Sequence, residues 1–454
     1  MFRVLSNTWA LLLGMTLLML GNGLQGTLLG VRGQAAGFST LELSVVMSAY
    51  FVGFLGGSRL TPELIRRVGH VRVFAALGSL ISAVLILYPA FAHPYVWVLG
   101  RLVIGFCFSG VYVTAESWLN NSVTNDQRGQ ALSLYMIVQM LGIIAAQALL
   151  NVPDASGFLL FIIPSVLVSV SFAPILLSIS PTPAFEATKP KTLRALFHVS
   201  PLGFVGMFML GSVFAAQFGM SAVFGAEAGL SLAEISIFVS AFYVGALVLQ
   251  YPLGWLSDRM DRRVLIMVTA ALGGGAALLA FWFGQDFTIL LAAAFFIGGT
   301  SNPLYSLLIA HTNDFLDTDD MAAASGGMLF VNGLGAIAGP MVTGWLMSVL
   351  GAYGFFLIIA VMMSVLAVYA AYRMTQRAAP NTDETAAYTP MMPTASVVAM
   401  EVAQEYAADV AEEAAAEPEE ETPKSTRRSS GGKGFDVGAA KKALSLAATQ
   451  AANC

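Results

Sequence analysis

The chain has 454 residues, 57% of them apolar and only 11% charged, with a formal net charge of −5. A soluble globular chain carries roughly 25% charged residues, so this one has too few to solvate its own surface and is expected to lie in a membrane. Twelve of the 27 acids and seven of the 22 bases fall in residues 374–454, an excess of five negative charges that equals the whole net charge, and the near-neutral remainder excludes a nucleic-acid partner.

Crossing a ~30 Å hydrocarbon layer takes roughly 20 apolar residues in a helix. Such stretches occur near 8–30, 40–60, 72–91, 96–119, 129–150 and 157–179, and again near 202–222, 232–255, 263–284, 287–312, 322–348 and 352–373. The first is too long for a signal-peptide core and lacks a small-residue cleavage site, so it reads as an uncleaved span. Between the two sets of six, Pro181, Pro183 and Pro190 alternate with Lys189, Lys191 and Arg194, which is linker composition. The expected organisation is a six-helix bundle over 1–179, a cytoplasmic linker over 180–201, a second bundle over 202–373 and a tail over 374–454.

Ten bases lie in loops after even-numbered spans, among them Arg66, Arg67, Arg128, Arg259 and Arg263, against Arg32 alone after odd-numbered ones. Cytoplasmic loops collect Lys and Arg, so both termini are expected in the cytoplasm, with the body in a bacterial inner membrane. Cys107 and Cys454 have no ligand spacing with the four histidines, so neither metal nor cofactor is expected.

An internal repeat organises the spans. Ser48 to Gly53 in the second span read Ser-Ala-Tyr-Phe-Val-Gly, and Ser240 to Gly245 in the eighth, 192 residues on, read Ser-Ala-Phe-Tyr-Val-Gly. Gly14, Met15, Leu18 and Gln25 precede Gly206, Met207, Leu210 and Gln217 by the same 192, while Gly105 and Tyr112 precede Gly298 and Tyr305 by 193. Gln139, Leu141 and Gly142 likewise precede Asn332, Leu334 and Gly335 by 193. A near-constant offset over five regions implies two parallel six-helix halves related by an axis along the membrane normal, the architecture of an alternating-access carrier.

The loop after the eighth span reads Gly254, Trp255, Leu256, Ser257, Asp258, Arg259, Met260, Asp261, Arg262, Arg263. It resembles the loop signature of the major facilitator superfamily, with Asp261 in place of the second glycine. The first half keeps Arg66, Arg67 and Gly69 but lacks the glycine and aspartate, and Arg101 with Gly105 matches the fourth-helix motif. The run from Tyr305 and Ser306 to His311 and Asp314 is similar to the YcaD-type branch of that superfamily. The resemblance covers residues 5–375 and implies an all-α membrane protein with twelve transmembrane helices in two pseudo-symmetric bundles.

The resemblance also implies roles. Spans one, four, seven and ten line the central cavity, which nominates Asn22, Gln25, Arg101, Tyr112, Thr114, Gln217, Asn302, Tyr305 and Ser306 as solute-facing residues; interhelical hydrogen bonding is the competing account of each. Arg101 is associated with proton coupling or with bracing, and the two stay open. Asp258 with Arg259, and Arg66 or Arg67 in the other half, are candidates for a cytoplasmic gate. A carboxylate at a membrane edge asks for a partner, and Glu116 with Arg128 reads as a gate pair or a proton switch. His311 and Asp314, three apart on one face, are a candidate proton relay or a plain acidic loop. Gly335, Gly339 and Pro340 resemble an antiporter motif, but in the eleventh span instead of the fifth, so antiport gains no support.

The tail over 374–454 turns to Ala, Glu, Pro, Ser and Thr and is expected to be mostly disordered. Val398, Val402, Tyr406 and Val410 recur every four residues and allow one short amphipathic helix, a docking element for a weak cytosolic partner. The function expected is secondary transport of a small solute by a monomer in the lipid bilayer, with H+ as co-ion, since no nucleotide-binding loop is present. The alternative is a membrane receptor or scaffold on a transporter fold that signals through its tail; an enzyme is not expected.

Overall fold

In hydrocarbon a backbone N–H must find its carbonyl inside its own helix, and the long apolar runs of this chain do so. The computed structural model describes residues 2–124, 127–151, 158–177, 192–316, 318–377, 388–396 and 398–403, and among these every regular element is helical. The first half comprises α1 (Phe2–Ala35), α2 (Thr40–Val68), α3 (His70–Ala90), α4 (Pro94–Asn121), α5 (Arg128–Leu149) and α6 (Leu159–Leu177). A seven-residue helix, α7 (Leu193–Val199), stands where a linker is expected.

The seventh span is made of α8 (Pro201–Ala215), a π turn (Ala216–Met220) and α9 (Ser221–Glu227). The rest are α10 (Leu232–Ser257), α11 (Arg262–Phe283), α12 (Phe287–Asn313), α13 (Thr318–Leu350) and α14 (Gly354–Gln376). Among the described residues eleven helices are long and apolar enough to cross a membrane, and Leu159–Pro174 in α6 is a shorter apolar one. Together they account for the expected twelve. Large apolar side chains such as Trp282 (66% exposed) and Val368 (71%) face outward, where lipid takes the place of water, while the polar side chains of the spans turn inward.

The repeat is structural. Ser39 caps α2 and Ser231 caps α10, 192 residues apart, each closing a reciprocal capping box with Glu42 or Glu234 three residues on. Each cap follows a glycine with positive φ, Gly37 at 84° and Gly229 at 78°, also 192 apart, a left-handed turn that a Cβ would disfavour. Packing follows the same plan: α1 lies on α5 and α6 as α8 lies on α13 and α14, and α2 lies on α4 as α10 lies on α12.

The repeated glycines mark where these helices cross. A Cβ on Gly53 would strike the carbonyl of Leu102, and one on Gly105 the carbonyl of Tyr50; Gly245 and Gly298 stand in the same relation to Phe295 and Phe242. Small residues let the backbones touch, and in the absence of a hydrophobic drive between helices this close packing is the main source of cohesion.

The two halves meet chiefly toward the end of the bundle away from the arginine-rich loops. There α2 packs on α13 and α5 on α10, and the contact of α2 with α13 runs on to Arg59, which lies 4.4 Å from the Phe330 ring centroid. Ser48 Oγ donates to the Ile337 carbonyl, Thr40 Oγ1 donates to Glu227 Oε2 at 3.0 Å, and Asn151 Nδ2 donates to Ser236 Oγ at 3.3 Å.

At the basic end another element enters. The tail is expected to be mostly disordered from residue 374, yet residues 388–396 and a helical stretch over 398–403 lie buried among the spans. Residue 374 therefore does not end the packed body. Val398 and Val402 of the foreseen amphipathic helix are buried, whereas Tyr406 and Val410 lie outside the described residues.

Candidate functional site

Midway along the bundle, polar side chains of α1 and α4 form one network. Arg101 Nη1 donates to Gln25 Oε1 at 3.2 Å, Gln25 Nε2 donates to Asn22 Oδ1 at 3.2 Å, and Asn22 Nδ2 donates to the Tyr112 hydroxyl at 3.3 Å. The Arg101 guanidinium also reaches Met47 Sδ at 3.3 Å and lies over the Tyr50 ring, 4.8 Å from its centroid. It is fully buried, and its Nε has no hydrogen-bond partner. Aromatic faces and amides solvate a cation there without neutralising it.

The second half answers with amides and hydroxyls. Gln217, in the π turn, donates through Nε2 to Ser301 Oγ at 3.1 Å, and its Oε1 accepts from the same hydroxyl at 3.2 Å. A π turn carries one surplus residue and recurs at functional sites. Asn302 Nδ2 donates to the Gly298 carbonyl at 3.2 Å, leaving its Oδ1 buried without a partner. Tyr305 and Ser306 lie further toward the basic end and bond to Met400 Sδ and to the Met391 backbone. Thr114 Oγ1 turns back to the Gly110 carbonyl at 2.8 Å on its own helix.

The family is decided by comparison with known proteins. The model of the Major Facilitator Superfamily matches the chain twice, over residues 11–232 and 202–403. The chain belongs to the major facilitator superfamily. Similar curated members include the uncharacterised transporter YcaD of Salmonella arizonae, 26% identical over 343 residues that make up 74% of this chain and 88% of that one. YcaD of Escherichia fergusonii is likewise 26% identical over the same shares. Among solved structures, the nucleoside transporter NupG aligns with a TM-score of 0.70 at 16% identity, over 81% of this chain and 99% of that one. The E. coli fucose:proton symporter FucP aligns with a TM-score of 0.53 at 17% identity, over 80% and 98%. This facilitator-superfamily chain is thus a multi-pass membrane transporter of a small solute, resembling the YcaD type.

Within this superfamily fold, the residues nominated for a gate take the following places. Arg66 and Arg67 pair with Glu63 of their own helix, at 2.8 and 2.9 Å, on the exposed rim. Arg259 folds onto the Trp255 ring, 4.3 Å from its centroid. Asp258 faces Arg262 Nη2 at 3.5 Å and accepts the Tyr388 backbone N–H at 3.0 Å. Glu116 and Arg128 do come together, lining one cleft with Leu119, Leu132, Ala399 and Val402. Glu116 Oε1 accepts from the Tyr135 hydroxyl at 3.2 Å.

His311 packs edge-on against Phe315, with ring centroids 5.1 Å apart, while Asp314 is taken by Arg262. Arg262, which sequence reading left unranked beside Arg259, is, like Arg263, a buried cation of this end: its Nε donates to Ser257 Oγ at 3.1 Å and its Nη1 to the Ala310 carbonyl at 3.4 Å. Asp258 follows the last residue of α10 and Arg262 opens α11, so the two meet across the turn between the helices, a pairing that spacing along a single helix does not reveal. The adjacent Arg263 pairs with Asp261 at 2.8 Å, and that partnership outweighs burial to hold the Asp261 carboxyl below its ordinary value.

Proposed function

We propose that the chain is a secondary carrier that moves a polar small solute across the bacterial inner membrane by alternating access, with its basic end and both termini in the cytoplasm. The observation that carries this reading is the repeat-related polar centre, Asn22, Gln25, Arg101 and Tyr112 on one side and Gln217, Ser301 and Asn302 on the other, between halves that are joined at the far end. In this orientation the far-end contacts form the outer seal, and the conformation is inward-facing.

The solute class follows from Arg101. Its charge lacks a carboxylate among the contacts described, so a solute with an anionic or zwitterionic group gains a charge-assisted hydrogen bond there. Gln217 and the open acceptor of Asn302 hold the neutral remainder through donors and acceptors. A proton serves as co-ion, with Glu116 as the group that carries it. Closure toward the cytoplasm brings Glu116 and Arg128 of one half against Asp258, Arg259 and Arg262 of the other, with Arg66 and Arg67 at the rim and His311 and Asp314 bracing α12.

The test is a thermal-shift screen of metabolites on the purified protein, since a ligand of the folded state raises its melting temperature, followed by counterflow of each hit in proteoliposomes with and without a pH gradient. Exchange of labelled for unlabelled solute is expected, accelerated when the lumen is alkaline or acidic according to the direction of coupling. Hits that bind yet never exchange across the bilayer would overturn the carrier reading and favour a receptor on this fold.

A further inference from the structure

Between Tyr388 and Ala403 the chain runs for sixteen residues with a single charge, Glu401, and three methionines, Met391, Met392 and Met400. In an acid-rich tail this is the one stretch with the composition of a protein interior, and it is buried as one. Met391, Met392, Ala399, Met400, Val402 and Ala403 belong to the same apolar core as the spans.

Its backbone is bonded to both halves. On the second half, the Tyr388 hydroxyl accepts from Gln250 Nε2 at 2.8 Å, the Tyr388 N–H donates to Asp258, and the Met391 N–H donates to Ser306 Oγ at 2.9 Å. The Ser306 hydroxyl returns a bond to the Met391 carbonyl at 3.3 Å. On the first half, the Ser396 N–H donates to Glu116 Oε2 at 3.0 Å, and Ala399 with Val402 closes the cleft beside Arg128 and Leu132. The Tyr305 hydroxyl donates to Met400 Sδ at 3.5 Å.

These partners are residues that sequence reading nominates for the cavity and gate: Tyr305, Ser306, Glu116 and Asp258. The segment meets Ser306, Glu116 and Asp258 with main-chain groups and Tyr305 with the Met400 sulfur, and it fills the space between them with methionine, whose flexible thioether adapts to irregular walls. It also stands where α4 and α5 must approach α10 and α12 if the basic end is to close. A packed interior leaves no room for both arrangements.

We infer that residues 388–403 are an internal ligand of the transport cavity, a plug carried by the chain itself that keeps the basic end open and must leave before solute can be carried. The inference rests on the proposed reading of this cavity as the solute path. Ten residues of sequence separate Arg377 from Tyr388, and ten residues span at most about 35 Å, so release and return are intramolecular and occur at high effective concentration.

The experiment reads cavity access, not transport. Ser306→Cys is placed in a Cys454→Ser chain, full length or ended after Arg377, and the purified, reconstituted proteins are treated with a water-soluble maleimide. Labelling is expected to be about tenfold or more faster in the shortened chain, the ratio reporting the plug's local opening equilibrium. Full-length protein that also carries Met400→Asp, whose charge cannot stay buried unpaired, is expected to label like the shortened chain. Equal rates in all three overturn the inference. Leu132→Cys, under Ala399 and Val402, gives the same reading where Ser306→Cys fails to fold. A chain that plugs but moves no solute would still show the protection, so the failure of one reading is distinct from that of the other.

Discussion

Arg262 at the start of α11 holds Asp314 at the end of α12 through Nη1, with both side chains only 2% exposed. Removing one partner of a buried pair leaves an uncompensated charge and costs roughly 3–5 kcal/mol. Arg262→Gln or Asp314→Asn is therefore expected to lower the melting temperature sharply in detergent, whereas Arg259→Gln, whose side chain lies on the exposed rim against Trp255, leaves it nearly unchanged. Differential scanning fluorimetry of the three variants checks this.

The helix crossings make a second prediction. Gly105→Ala places a methyl group into the Tyr50 carbonyl and must push α2 from α4, while Gly275→Ala meets nothing within 4 Å. Overpacking costs about 1–3 kcal/mol, so Gly105→Ala and its repeat mate Gly298→Ala should lose folded yield and thermal stability. Gly275→Ala should match or exceed the parent protein, because alanine is the better helix former by roughly 1 kcal/mol.

Asp286 caps α12, accepting the N–H groups of Thr288 at 2.8 Å and Ile289 at 3.3 Å. The Ile289 and then the Thr288 N–H hold its carboxyl below the ordinary aspartate value. A depressed folded value means that the stabilisation is complete above the unfolded pKa, about 3.9, and is lost as pH falls through the folded one. The gap in melting temperature between the parent and Asp286→Ala is thus expected to be full at neutral pH and to close only in acid.

Transport itself should depend on Arg101 in a way a brace would not. A charge-assisted hydrogen bond contributes about 1.5–3 kcal/mol, so Arg101→Gln is expected to raise the solute KM roughly ten- to hundredfold in counterflow assays. Arg101→Lys, which keeps the charge but loses the planar fork, should fall between. A variant that loses folded protein in proportion to activity would instead mark Arg101 as structural.

Much of this was written where one-dimensional signals suffice. Twelve spans and the 192-residue repeat are visible because hydropathy and glycine spacing survive as local patterns, and the repeated glycines turn out to sit at helix crossings. The central cluster was legible as well, since buried Gln25, Arg101 and Gln217 are conspicuous in apolar runs. The pairings were not. Asp258 was matched with its neighbour Arg259, whereas the chain turns between α10 and α11 and brings Arg262, the first residue of the next helix, against it. The burial of residues 388–403 escaped, although Val398 and Val402 were read as helical, because their apolar character is averaged away in a tail dominated by acids beyond them, and because nothing local tells a chain to fold back between helices 85 to 280 residues earlier.

The π turn at Ala216–Met220 sets the phase between two distant contacts. Each α-helical residue advances the winding by about 100°, so the surplus peptide leaves Ser221–Glu227 rotated by that much relative to an unbroken continuation of Pro201–Ala215. Across this offset Gln217 meets Ser301 while Ala222 abuts Gly30 of the opposite half. Deleting one residue from the turn is expected to restore a regular coil and to break one of these two contacts, which ties the geometry of the polar centre to the junction between the halves.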